Sequence, residues 1–248
     1  MNNVEFLEII KNSFKIFLNL ESEKFGKGSR SNEKLKPLHG QIAKDLQEYL
    51  GKTFKIKSLG YGNGKESKIF GRYYEKTVDI SITKNKKDVA SYGIKFVMQN
   101  YSQNSNNYFE NMLGETANIR TNKIPYFQIF IIFEKVPHYD DKKAFKNYDI
   151  ISQHNLDKYI KLSQDNADIY FHTPNKMLFV VVKLKEKEEN YKFKDKNEYI
   201  EFYKSIINDK NLMQYSNKIS DNFDNGIILN DYENFLERTC SLITGSLK

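Results

Sequence analysis

TVDISITKNKKDVASYGIKFVMQ, residues Thr77 to Gln99, reads as two β-strands joined by a short polar connection. Val78, Ile80 and Ile82 alternate with Asp79, Ser81 and Thr83. After the connection KNKKD, Tyr92, Ile94, Phe96 and Met98 alternate with Gly93, Lys95 and Val97. Successive strand side chains point to opposite faces, so an antiparallel hairpin that turns both apolar sets to one core places Asp79 and Lys95 together on the other face.

Outward from this hairpin the period changes to that of helices. Phe6, Ile9, Ile10, Phe14, Phe17 and Leu18 mark an amphipathic helix over Val4–Leu20. A second helix starts near Pro37, carries Leu38, Ile42, Leu46, Tyr49 and Leu50, and stops at Gly51. Phe54, Ile56 and Ser58 begin a strand, followed by GYGNGKE (Gly60–Glu66), which lacks the GK[ST] of a phosphate loop. Beyond the hairpin lie the polar connector QNYSQNSNN and a helix from about Asn107 to Arg120. The apolar strand YFQIFIIFE after Pro125 suits burial on both faces. A helix near Asn155–Leu162, a strand at Lys176–Leu184 and Tyr- and Lys-rich helices complete the order. No internal repeat or biased linker divides the chain. The expected architecture is therefore a single α/β domain over residues 1–248, a central mixed β-sheet flanked by helices.

The 248 residues are 39% hydrophobic, 14% aromatic and 29% charged, with 18 Phe and 17 Tyr. That aromatic content is too high for a disordered chain, and coiled-coil, collagenous and disulfide-scaffold classes are excluded. With 39 Lys+Arg against 32 Asp+Glu, the net charge of +7 is compatible with a polyanionic partner. A single cysteine, Cys240, argues for a reducing compartment. The N-terminal MNNVEFLEIIKNSFKIF does not read as a signal peptide, and the apolar runs fall short of the ~20 residues that span a bilayer. A soluble, cytoplasmic protein without membrane contact is expected.

A carboxylate and a lysine on adjacent strands suit a metal-dependent phosphodiesterase: the acid holds a hard divalent ion, and the amine offsets charge at the phosphorus. Asp79 in VDISI and Lys95 in YGIKF resemble the PD-(D/E)XK nuclease superfamily, and within it the type II restriction endonucleases, over Glu66 to about Phe133. The restriction-endonuclease-like fold is what the resemblance implies. Two positions depart from the family pattern. Val78 stands where Pro is frequent, and Gly93 stands where the second acid belongs. Some members recruit that acid from the following helix, which here offers Glu110 and Glu115. Five residues separate them, about 140° around the axis, so both cannot reach one metal. The polar face of Glu110, shared with Asn107, Asn111 and Gly114, favours Glu110. Glu66 resembles an additional upstream metal-binding acid; the alternative is a solvated loop acid beside Lys65 and Lys68.

The resemblance implies Mg2+-dependent cleavage of double-stranded DNA by a homodimer whose genetic partner is a cognate DNA methyltransferase. Asp79, Lys95 and Glu110 are the expected catalytic residues, with Asp79, Glu110, Glu115 and Glu66 as metal candidates, all within residues 66–120. Asn104, Asn106, Asn107 and Arg120 are candidates for base contact, because Asn pairs bidentately with adenine and Arg with guanine; drift in an Asn-rich connector and helix capping are the plainer readings. His39 either reaches the catalytic residues or the DNA backbone, or is an ordinary part-buried histidine. His138, His154 and His172 lack the spacing of a zinc site. A repair or junction-resolving nuclease of the same fold, and a non-catalytic DNA-binding protein that lost its acid at Gly93, are the alternatives.

Overall fold

The computed structural model describes residues 1–23, 31–151, 153–189, 191–220 and 222–247, without the Glu23 side chain. Helices α1 (Asn3–Glu23) and α2 (Lys36–Leu50) open the chain, the second entered through a 3-10 turn, Asn32–Leu35. Pro37 sits at the first turn of α2, and Gly51 closes it at φ +80°, a conformation in which a Cβ is strained. Strand β1 (Phe54–Ser58) follows, with its alternating burial as expected.

The hairpin is built differently from its sequence pattern. The expected strand breaks at Asp79 into β3 (Glu75–Val78) and β4 (Ile80–Lys84). β3 leaves the main sheet and pairs antiparallel with β2 (Ser67–Phe70), while β4 pairs with β5 (Lys87–Val97). The connection narrows to Asn85 and Lys86, both at positive φ, the requirement of a tight two-residue hairpin turn.

Among the described residues the main sheet has seven strands in the order β1–β4–β5–β6–β9–β10, with β11 also on β9. Here β6 is Tyr126–Phe133, β9 Lys176–Leu184, β10 Met213–Tyr215 and β11 Ile227–Leu229. β1, β4 and β5 run antiparallel; β5, β6 and β9 run parallel. All eight residues of β6 are buried, as a strand between two parallel neighbours requires. The short pair β7 (Lys135–Tyr139) and β8 (Phe145–Ile150) stands apart from this sheet.

Alternation on β5 divides the helices between two faces. Tyr92 packs edge-on to Phe235 of α6 (Tyr232–Gly245), and Phe133 of β6 packs edge-on to Phe14 of α1. The other face takes Gly93, Lys95 and, from β6, Gln128 and Phe130. Phe130 there meets Tyr108 of α3 (Ser105–Arg120) and Tyr159 of α4 (Gln153–Ser163). The last helix before α6, α5 (Lys196–Ser205), packs on α1. One hydrophobic core holds α1, α2, α6 and the central strands together, so the chain is a single α/β domain with a mixed sheet between helices. No helix among the described residues is long and apolar enough to cross a membrane.

Candidate metal centre

The register of the small β2–β3 hairpin places the site. Ser67 pairs with Val78 at its base, so the flanking Glu66 and Asp79 leave the pair side by side. Asp79 is also the bend where the chain passes into the main sheet. There its Oδ2 accepts a 2.6 Å hydrogen bond from the Ile94 N–H, and its carbonyl accepts one from Ser58 Oγ at 3.0 Å.

Helix α2 brings the third group. Gly40 and Gly60 lie in backbone contact: a Cβ on Gly40 would sit 2.6 Å from the Gly60 carbonyl oxygen, and one on Gly60 2.5 Å from that of Lys36. This approach seats His39, one residue before Gly40, against the loop that ends in Glu66. His39 is 1% exposed, and neither ring nitrogen has a hydrogen-bond partner; nor has Glu66 Oε1. One ligand atom each from His39, Glu66 and Asp79 lies within 4.8 Å of the others.

The electrostatics follow from this crowding. Burial pushes the Asp79 carboxyl up to about 6, opposed by the Ile94 hydrogen bond; Glu115 raises it further, and Lys76 and Lys95 lower it. Burial and the Asp79 charge raise Glu66, against the pull of His39. Burial drives His39 down to about 4, so at neutral pH its ring is uncharged and its nitrogen lone pair is available to a cation. Buried polar groups are ordinarily paired. An unpaired imidazole beside two carboxylates that resist ionisation is a donor set that could hold a divalent ion.

A cavity of about 300 Å3 meets this centre at Asp79, which lines it together with Lys95, Tyr108, Asn111, Glu115 and Gln128 among others. The Lys95 amine lies 4.6 Å from the Tyr108 ring centre. Burial lowers its pKa, and the charges of Asp79 and Glu115 raise it. Glu115 is bound by the Lys76 amine and by the Tyr126 hydroxyl, the latter at 3.2 Å. The space that an acid at position 93 would need is filled: a Cβ on Gly93 would stand 2.3 Å from Tyr126 Oη and 2.8 Å from Gln128 Nε2.

The sequence-derived candidates thus separate. Asp79, Lys95 and Glu115 line one cavity, and Glu66 joins Asp79 and His39 within 4.8 Å without lining it. Glu110, the helix acid preferred on sequence grounds, is exposed and faces elsewhere, toward Lys158 on α4, whose pKa burial lowers against the opposing charge of Glu110. The α3 face of Tyr108, Asn111, Met112 and Glu115 is the one turned to β5, and Glu110 lies off it. Arg120 is buried, donating to Asn175 Oδ1 and to the carbonyls of Ala167, Tyr170 and Thr173 at 2.6–3.0 Å. These bonds commit its guanidinium to the fold, away from base contact. Asn106 accepts from Lys158, Asn104 donates to the Asn100 carbonyl at 3.4 Å, and Asn107 is exposed. His138 pairs with Asp149, and His154 and His172 with neighbouring aspartates. Sequence reasoning missed the parts played by Tyr126 and Gln128, whose positions inside an apolar strand carry no local signal of a site.

Fold and site together define an α/β protein with a candidate His–Glu–Asp metal centre where β3 passes into β4. No protein-family model, no curated protein and no solved structure matches the chain.

Proposed function

We propose that this protein is a divalent-metal-dependent nuclease that hydrolyses phosphodiester bonds in DNA. The observation that carries the reading is the convergence of His39, Glu66 and Asp79 within 4.8 Å, beside a cavity that also presents Lys95 and Glu115. A cation held by His39, Glu66 and Asp79 would polarise a phosphoryl oxygen and supply a water acidic enough to attack at neutral pH. The chain's own groups do the rest. Lys95, steadied over Tyr108, places positive charge where a phosphate entering the cavity would gather negative charge. Glu115, oriented by Lys76 and Tyr126 in the cavity that Asp79 also lines, would accept a proton from the attacking water. It takes the place of the acid that Gly93 cannot carry.

The donor set speaks to the metal. Carboxylates suit Mg2+ and Mn2+, whereas imidazole suits first-row transition ions, so a site with one nitrogen and two carboxylate ligands fits Mn2+, which belongs to both groups, better than Mg2+. The finer readings within this class are a homodimeric, sequence-specific restriction endonuclease and a structure-selective nuclease. The commitment of Arg120 to backbone carbonyls favours the second, since one of the base-reading candidates, and the only arginine among them, is spent on the fold.

The test is incubation of supercoiled plasmid and unmethylated phage DNA with the protein in Mn2+ or Mg2+, with Asp79→Asn and Lys95→Ala as controls. Nicking or cutting that disappears in both variants supports the nuclease. Discrete phage fragments would mark the site-specific form. DNA left intact by the wild type in both metals, with branched and single-stranded substrates included, overturns it.

A further inference from the structure

Large apolar side chains gather at the surface around one end of α3. Phe70, Tyr73 and Tyr74, at the tip of the β2–β3 hairpin, are 68%, 77% and 54% exposed, and Tyr170 and Phe171 are 48% and 45% exposed. Rings left in water in such numbers mark a contact surface.

Their backbones are held firmly while the rings stay outside. Asn118, 1% exposed, accepts from the Tyr73 N–H through its amide oxygen and donates to the Tyr74 carbonyl; its own carbonyl accepts from the Arg72 N–H at 2.7 Å. Asn122 donates to the Phe70 carbonyl at 2.7 Å. Gly71 lies so close to the Asn118 amide that a side chain there would collide with it at 2.2 Å. From the same helix end, Arg120 binds the carbonyls of Ala167, Tyr170 and Thr173 and sits 5.6 Å from the Phe171 ring centre. The last turn of α3 thus spends its polar side chains on fixing two loops whose aromatic rings face solvent.

The geometry points to a base-stacking platform: Phe70, Tyr73, Tyr74, Tyr170 and Phe171 take the unpaired bases of a nucleic-acid strand that runs to the metal centre. This inference rests on the nuclease reading and names its substrate class as DNA with an unpaired segment. Continuity carries the choice of occupant. One hairpin bears Glu66 and Asp79 at its base and Phe70, Tyr73 and Tyr74 four paired positions away, about 13 Å at strand rise. That is a few stacked nucleotides. Charge agrees with it through Arg72, which stands between the ring-bearing positions 70 and 73; Lys68 and Lys76 on the hairpin's two strands are paired with Glu75 and Glu115. Flat rings accept any base, whereas a stacked duplex offers them only its ends.

The test is fluorescence anisotropy in Ca2+ with a labelled 20-nucleotide single strand, a blunt duplex and a duplex with splayed ends. Proteins compared are the wild type, Tyr73→Ala/Tyr74→Ala, Tyr73→Phe/Tyr74→Phe and Arg72→Ala; all these positions are exposed, so folding is not at stake. The wild type is expected to bind the single strand and splayed duplex more tightly than the blunt duplex. The alanine pair should lose about tenfold or more on those two substrates with its salt dependence unchanged, and the phenylalanine pair should retain them. Arg72→Ala should lower the salt slope by about one. Equal binding by wild type and alanine pair, or a wild-type preference for blunt duplex, overturns the platform. So does a change from dimer to monomer in the alanine pair with DNA binding intact, which would make the patch a contact between copies of the chain. Asp79→Asn separates the two readings: loss of cleavage with strand binding kept supports both, and wild-type strand binding without any metal-dependent cleavage leaves the platform standing while the nuclease falls.

Discussion

Asp79 and His39 titrate in opposite senses. Asp79 is raised from 3.8 to about 6, so between those values the folded chain holds more protons than the unfolded one and loses stability as pH rises. His39 is lowered from 6.5 to about 4, so over nearly the same window the folded chain holds fewer protons and gains stability as pH rises. In the wild type the two offset. Asp79→Asn exposes the histidine, and its stability in EDTA should climb relative to wild type by roughly 2–3 kcal/mol between pH 4 and 6. His39→Gln should show the reverse drift. Urea midpoints across that range measure both, and parallel pH profiles for all three proteins would contradict the assignment. Metal affinity should fall as pH drops through about 6, where Asp79 takes up its proton.

At the scale of elements, α3 and α2 make separate predictions. The α3 face turned to β5 carries Glu115 and leaves Glu110 outside, so Glu115→Gln should abolish metal-dependent cleavage while Glu110→Gln keeps it, in the same plasmid assay. In α2, Gly40→Ala puts a methyl group against the Gly60 carbonyl and should cost about 1–3 kcal/mol and weaken metal binding by displacing His39. Gly114→Ala, on open helix surface, should stabilise by up to about 1 kcal/mol and leave metal binding alone. Denaturant titration with and without Mn2+ distinguishes them. These elements also show how far the sequence could be read. Helical spacing located α2, apolar runs located β6 and β9, and alternation set Asp79 and Lys95 toward one cavity, because apolar patterning reports burial directly. It did not show that the strand breaks at Asp79: β3 and β4 continue one alternating pattern, and only pairing with β2 separates them. The choice between Glu110 and Glu115 was equally hidden, since it depends on how α3 is rotated against β5. His39 was visible only as a lone histidine. Its two carboxylate neighbours come from the Gly40–Gly60 backbone contact, a tertiary fact with no local pattern.

Across the whole molecule, two faces of one sheet divide the work. The face of Tyr92, Phe127 and Phe133 is given to the aromatic core under α1 and α6, while Gly93, Lys95 and Gln128 open onto the cavity. A net charge of +7 adds a long-range attraction for nucleic acid, so DNA affinity should fall steeply with salt. Anisotropy titrations over 50–200 mM salt are expected to give a linear log–log decline, and affinity independent of salt would remove DNA as the partner.

Pulsed electron paramagnetic resonance of bound Mn2+ bears most directly on the metal centre. One Mn2+ per chain, with nitrogen modulation from an imidazole that disappears in His39→Gln, is the result expected of a His39–Glu66–Asp79 site. Asp79→Asn should weaken binding at least as far as the roughly 10–100-fold lost with an outer-shell partner. Failure of the wild type to bind Mn2+, or binding whose nitrogen signal survives His39→Gln, would contradict the site and the nuclease built upon it.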